Sequence, residues 1–343
     1  MEKLKLEKCT NVFGGVIIVI PIVCLFFFGN MDGLLELLQA DDNAKLSASQ
    51  FSAACGRPIN LKYPFGNPVS IERTHLPIFA SASYMVADKS DGVRVCIILS
   101  SMGNFKFAVA MERTGKMYGL AMKTDAVFFQ GTIMDAELVR THDGNWRVLL
   151  FDACAIAGNT NVEYLSLPER LELLESCMPN MSLLSPNWTM EVKKMFPLKG
   201  PRDALPKYLE ALAYNTDGFI LTPEQEPASQ SGTAPHIFKI KTCHTMDFLW
   251  SGNMLWYGDQ KELFPITNIP LPFDGTQLKH VRNGAVVEMS PQVDKAGVIT
   301  MIHFAQERPD KDTPNSYFTV HRTLQSVIDA ITLDVVLHES VRS

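Results

Sequence analysis

The stretch YMVADKSDGVRVCIIL sets Lys89 among Asp88, Asp91, Gly92 and Arg94, between two apolar runs. A lysine amine is a nucleophile once it has lost its proton, and burying it costs free energy unless it is paired or neutralised. Two readings are open at this point: a solvated lysine at a hairpin tip, or an amine that does chemistry. Further polar residues follow at intervals. GTIMDAELV puts Glu137 on a strand, LLFDACAIAG puts Phe151 and Asp152 at a strand end, and TDGFILTP puts Asp217 and Gly218 at a strand start. FKIK sets Lys239 and Lys241 two residues apart, so both face one side of a strand. TMDF carries Asp247, and RPDKDTPNS carries Arg308, Asp310, Lys311 and Asn315. Taken singly, each has a structural reading: an edge-strand acid, a packed aromatic, a turn residue, a solvated strand face, a surface ion cluster.

The elements that must position these residues are mostly strands. From about residue 60 to 165 the pattern VRVCIIL, FKFAVAM, AVFFQGTIMDAELV, WRVLLFDACAI is short, β-branched or aromatic, and punctuated by Gly, Asn, Asp and Thr. SLPERLELLESCM predicts a helix, with Ser166 and Glu169 as a capping box and Pro168 in the first turn. RDALPKYLEALAY predicts a second helix and DGFILTP a strand, while 224–235 reads as a polar surface loop. PITNIPLPF brings three prolines into eight residues and predicts a domain boundary. Beyond it, GAVVEMSP, GVITMIHFAQE and a final amphipathic helix, TLQSVIDAITLDVVL, fit a small β-barrel with a helix.

The ordered set from Lys89 to Asn315 resembles the covalent nucleotidyltransferases, the superfamily of polynucleotide ligases and mRNA capping enzymes, and within it most closely the mRNA guanylyltransferases. The likeness spans residues 65–335. TDGFILTP in place of an EG pair, the continuation into TMDF, and RPDKxxPN followed by SVIDAI all lean towards capping. Ile240 stands where a tryptophan is common, and Ala136 where glycine is common. The resemblance implies an α+β fold: a nucleotidyltransferase domain (ATP-grasp-like antiparallel sheets with helices) over 31–265, then an OB-fold domain over 266–343. It implies that GTP reacts with Lys89 to give lysyl-GMP and pyrophosphate, and that GMP then passes to the 5′-diphosphate end of RNA. It assigns Arg94 and Glu137 to the ribose hydroxyls, Phe151 to stacking on guanine, and Asp217 to Mg²⁺ or Mn²⁺. Lys239 and Lys241 go to the α-phosphate, Asp247 to orienting a neighbour, Arg308 and Lys311 to the β- and γ-phosphates, and Asp310 to the nucleotide-binding set. For attack the lysine amine must be neutral, so its pKa has to fall from about 10.4; neighbouring lysines, a metal and partial burial all push that way. An ATP-dependent DNA or RNA ligase is the alternative within the superfamily, and a membrane-tethered binding protein that has lost activity the alternative outside it.

Composition bounds the rest. The net charge of −6 over 343 residues disfavours a wholesale basic nucleic-acid binder but leaves room for a basic cleft. Seven cysteines, without a CxxC pair, fit reduced thiols in an intracellular protein; the resemblance implies the nucleus or a site of viral transcription. There is no HCxxGxxR loop, no paired ExE strands and no Gly-rich methyltransferase motif, so RNA triphosphatase and cap methyltransferase activities are expected on other polypeptides. Residues 12–29 carry no charge and form a candidate membrane anchor, with a true start at Met31 as the alternative.

Overall fold

The computed structural model describes residues 34–36, 63–102, 105–115, 117–200, 204–228, 232–259, 261–269, 271–294 and 298–341. The apolar run 12–29 and Met31 lie outside them. Among the described residues no helix is long and apolar enough to cross a membrane. The strands that carry the site are β1 (Tyr84–Ser90), β2 (Val93–Met102), β3 (Thr132–Arg140), β4 (Trp146–Ala155), β5 (Thr216–Pro223), β6 (Thr233–Lys241), β7 (Met246–Ser251), β8 (Ala285–Val293) and β9 (Ile299–Glu307). The helices of seven residues or more among the described residues are α1 (Leu167–Cys177), α2 (Ala204–Glu210), α3 (Tyr317–Asp329) and α4 (Leu333–Ser340).

Three mainly antiparallel sheets organise the chain. A seven-stranded sheet holds β2, β3 and β4 side by side, and a five-stranded sheet runs from β1 through β5 to β6. Period-two alternation divides the faces of the first sheet. Val95, Ile97 and Leu99 join the main core with the α1 residues Leu171 and Leu174, whereas Cys96 and Ile98 face a smaller cluster with Ile133 and Cys154. Arg94 shares the parity of Cys96, and Asp135 and Glu137 that of Ile133, so the polar residues stand on the face away from the main core.

The hairpin reading of Lys89 fails here. β1 pairs with β5 in the second sheet, whereas β2 pairs with β3 and its other neighbour in the first. Asp91 and Gly92 therefore carry the chain from one sheet to the other. The crossing is tight: a Cβ on Gly92 would lie 2.4 Å from Leu138 O.

α1 forms as predicted, with the Ser166–Glu169 capping box intact. Three expectations change. Residues 126–130 of the expected strand coil into a 3₁₀ turn that buries Phe128 and Phe129, and β3 starts only at Thr132. α2 is shorter than its pattern and stops at Glu210. The single C-terminal helix is two: Ala330, in the left-handed region at φ 46°, ends α3, and Thr332 caps α4 through its side chain.

The third sheet joins strand Leu263–Pro265, strand Met254–Gly258, β7, β8 and β9 in that order. The boundary expected at 265/266 would cut this sheet, because β7 on one side is hydrogen-bonded to β8 on the other. Proline ends the strand at 265 without ending the layer. Val320 and Leu324 of α3 pack into this third core with Phe248 and Val287. Val336 of α4 and Ile331 pack instead into the second sheet's core, with Phe238 and Ile240. Ile240, between the two lysines, is thus a core residue.

Candidate active site

Lys89 stands opposite a β-bulge. On β5 the register jumps between Thr216, paired with Ser90, and Phe219, paired with Asp88, so Lys89 alone faces Asp217 and Gly218. A bulge re-aims a side chain. Here it turns the Asp217 carboxylate onto Lys89, with Nζ 2.7 Å from Oδ1. Lys241 Nζ lies 4.0 Å from the other oxygen. Gly218 makes the bulge at φ 140°; a Cβ there would lie 1.9 Å from Ile240 O. Lys239 pairs in register with Ile220. Burial first, then the charges of Lys241 and Lys89, hold the Lys239 amine below the usual lysine range.

Beside this cation group lies a cavity of about 250 Å³ lined by Lys89, Arg94, Glu137, Phe151, Lys193 and Lys239, among others. Arg94 and Glu137 are direct register partners on β2 and β3. The Arg94 guanidinium forks onto Asp135, at 3.0 Å and 2.5 Å, and donates to Gly66 O at 3.0 Å. It also lies 5.5 Å over the Phe151 ring. Burial works against the Arg94 charge, but Asp135 more than offsets it and raises the pKa. Three of the five N–H groups are used, which leaves two for a ligand. Glu137 accepts from Ser90 Oγ, and burial pushes its pKa up, opposed chiefly by Lys193.

A second cavity of about 260 Å³ adjoins the first, and Lys239 lines both. Its cations are Lys239, Lys241, Arg308 and Lys311. Asp247, on β7, organises two of them: Arg308 Nη1 reaches Oδ1 at 3.3 Å, and Lys311 pairs with Oδ2. Asn315 closes the loop, accepting from Asp247 N at 2.9 Å. Asp310 lines neither cavity; it grips Arg308 at 2.7 Å and 2.9 Å, and that contact draws its pKa down to about 2.

Sequence reasoning did not single out Asp135, Lys193 or Asn67. Asp135 was within reach of it, being two residues before Glu137 and so on the same strand face. Lys193, in EVKKMF, carries no local signal. Only the fold buries it against Asp88 at 3.2 Å and Ser90 Oγ at 2.7 Å, with Tyr208 donating to the same Asp88 at 3.0 Å.

Among the described residues no group of three or more His, Cys, Asp or Glu could hold a metal ion by itself. Asp217 offers a single carboxylate, set between Lys89 and Lys241. That donor set fits Mg²⁺ or Mn²⁺, which bind through one or two carboxylates together with water and substrate phosphates.

Residues 32–243 match the family model described as the mRNA capping enzyme catalytic domain. The chain is 29% identical over 218 residues to the mRNA-capping enzyme subunit alpha of Neurospora crassa, covering 55% of this chain and 54% of that protein. It is 24% identical to the mRNA-capping enzyme of Caenorhabditis elegans, covering 88% of this chain and 53% of that one. The chain therefore spans about half the length of the curated relatives it matches. Among solved structures, a mycobacterial DNA ligase D complexed with ATP aligns over 74% of this chain and 96% of its own, at 15% identity and a TM-score of 0.43. The ATP-dependent DNA ligase of bacteriophage T7 aligns over 73% and 100%, at 14% and 0.41.

Proposed function

The chain belongs to the mRNA capping enzyme family, and from that premise we propose that it is an mRNA guanylyltransferase acting through Lys89. One observation carries the reading. The Lys89 amine lines an aromatic- and carboxylate-bearing cavity, and Lys239, which lines that cavity too, joins it to a cation-lined one, as a nucleoside and its phosphates require.

In the first step Lys89 Nζ attacks the α-phosphorus of GTP. An N–P bond forms, the bond to the bridging oxygen breaks, and pyrophosphate leaves. In the second step a terminal oxygen of a 5′-diphosphate RNA attacks the same phosphorus, and the protonated amine departs. Phe151 stacks on the base, a sequence-tolerant hold, while Arg94 and Glu137 take the ribose hydroxyls. Lys239 and Lys241 offset charge gathering on the α-phosphate. Arg308 and Lys311 reach the outer phosphates, Asp247 orients them, and Asp310 acts on the nucleotide through Arg308. Asp217 would hold a divalent cation, which supplies further neutralisation of phosphate charge when bound. The same carboxylate releases Lys89 once its charge is taken up elsewhere.

The third sheet with α3 is read as an OB-fold domain over 246–329. The nucleotidyltransferase domain is read as the described residues 63–241 together with α4. Triphosphatase and methyltransferase activities are assigned to other polypeptides, and the protein to the nucleus or a site of viral transcription.

Incubation with a divalent cation and α-labelled GTP or ATP tests the reading. GTP is expected to leave a covalent label that Lys89→Ala abolishes. Label from ATP alone would make the protein a ligase, and label on the Lys89→Ala protein would misplace the nucleophile.

A further inference from the structure

Each carboxylate that lines the nucleoside cavity already has a donor. Asp135 is taken by Arg94 and Tyr63, Glu137 by Ser90, Asp152 by Arg170, and Asp88 by Tyr208 at Oδ1; its Oδ2 makes no hydrogen bond but is ion-paired with Lys193 at 3.2 Å. Asn67 differs. It lines the same cavity, and among the described residues its Oδ1 is buried with no hydrogen-bond partner. A buried acceptor left unpaired carries the full cost of its lost hydration, so such atoms point to a missing donor.

The site is also held in place. Asn67 N donates to Gly232 O at 2.8 Å, Asn67 pairs in register with Thr233 of β6, and the preceding Gly66 carbonyl accepts from Arg94. The orphan oxygen is therefore anchored to the strand that bears Lys239 and to the arginine that lies over Phe151.

Resting on the guanylyltransferase reading, we propose that Asn67 is a specificity-determining residue whose carboxamide oxygen accepts a hydrogen bond from the N1–H and N2–H₂ edge of guanine. Guanine presents two donors there. Adenine presents an acceptor at N1 and only C–H at position 2, which leaves the Asn67 oxygen unpaired. A site built to satisfy a polar edge rejects a base that lacks it. Lys193 lines the same cavity, and beyond its contacts with Ser90 and Asp88 its ammonium has a third N–H for an acceptor of the purine, so the cavity wall offers both kinds of partner.

The test compares kcat/KM for covalent labelling with GTP, ITP (which lacks the N2 amine) and ATP. It uses the full chain and its Asn67→Leu, Asn67→Ser and Asn67→Asp variants, with folding checked by thermal melting. Asn67→Leu and Asn67→Ser are expected to lower the GTP-to-ATP ratio at least tenfold and to erase the preference for GTP over ITP. Asn67→Asp, which keeps an acceptor, is expected to retain most of both. Equal losses with all three nucleotides, leaving the ratios unchanged, would make Asn67 a structural residue and overturn the assignment. Wild-type labelling by ATP and not GTP would overturn the guanylyltransferase reading instead, and this assignment with it.

Discussion

At the scale of single residues the site is a balance of charge. Asp217 holds Lys89 at 2.7 Å and has Lys241 within 4.0 Å, so one carboxylate serves two amines. Among the described residues Lys239 makes no ion pair of this kind, and burial is the first cause of its lowered pKa. Its charge is lost at lower pH than that of an ordinary lysine, near 10.4. The sign for activity follows. If the Lys239 cation stabilises the transition state, GMP–enzyme formation falls on the alkaline side as that proton leaves, below the ordinary lysine range. Arginine cannot lose its charge in a protein. Lys239→Arg is therefore expected to move the alkaline limb upward, with a rate loss from altered reach. Single-turnover labelling from pH 6 to 10.5 measures it, and a limb that stays in place would belong to another group.

Among elements, the bulge in β5 is the device that joins sequence motif to chemistry. Two residues of β5 face one of β1 only because Gly218 adopts φ 140° and meets Ile240 O without a Cβ. Gly218→Ala would force the β5 and β6 backbones apart at the point where Asp217, Lys239 and Lys241 converge. The expected result is adduct formation reduced by more than tenfold, with a loss of stability of about 2 kcal/mol or more from a left-handed alanine and the clash. Urea unfolding and labelling together check this; a variant near wild type in both would show that the bulge does not set the site.

For the whole molecule, the cation-lined cavity draws on two sheets. Lys239 and Lys241 come from the second, whereas Arg308, Lys311 and Asp247 come from the third and the loop after it. The proposed targets of Arg308 and Lys311 are present in GTP but gone once the enzyme–GMP adduct exists. Interactions made only in the first transition state affect only the first step. Arg308→Ala and Lys311→Ala are expected to lose adduct formation by orders of magnitude, while discharge of a preformed adduct onto diphosphate-ended RNA changes far less. Isolating labelled adduct and timing its discharge separates the two. Equal slowing of both would assign these cations to folding or RNA binding. The chain path adds a second link between the layers: Ala330 turns α3 away from the third core and lets α4 dock on the second.

Residue types and spacings alone pointed to the family. Lys89, Arg94, Glu137, Phe151, Asp217 and the Lys239/Lys241 pair are local signals, because period two puts alternate residues on one face wherever the strand goes. α1 was legible for the same kind of reason, its cap and apolar stripe lying within one stretch. Other features depend on which strands pair, which no local window records. That Lys89 faces a bulge and not solvent follows from β1 and β2 joining different sheets. That Lys193 is buried, that Asn67 keeps an orphan oxygen, and that the proline-rich segment connects two strands of one sheet are likewise consequences of contacts between distant segments. The split of the last helix was decided the same way: Ile331 and Val336 bury their apolar surface against the second core, and Val320 and Leu324 bury theirs against the third. A single straight helix cannot reach both, so the backbone turns at Ala330.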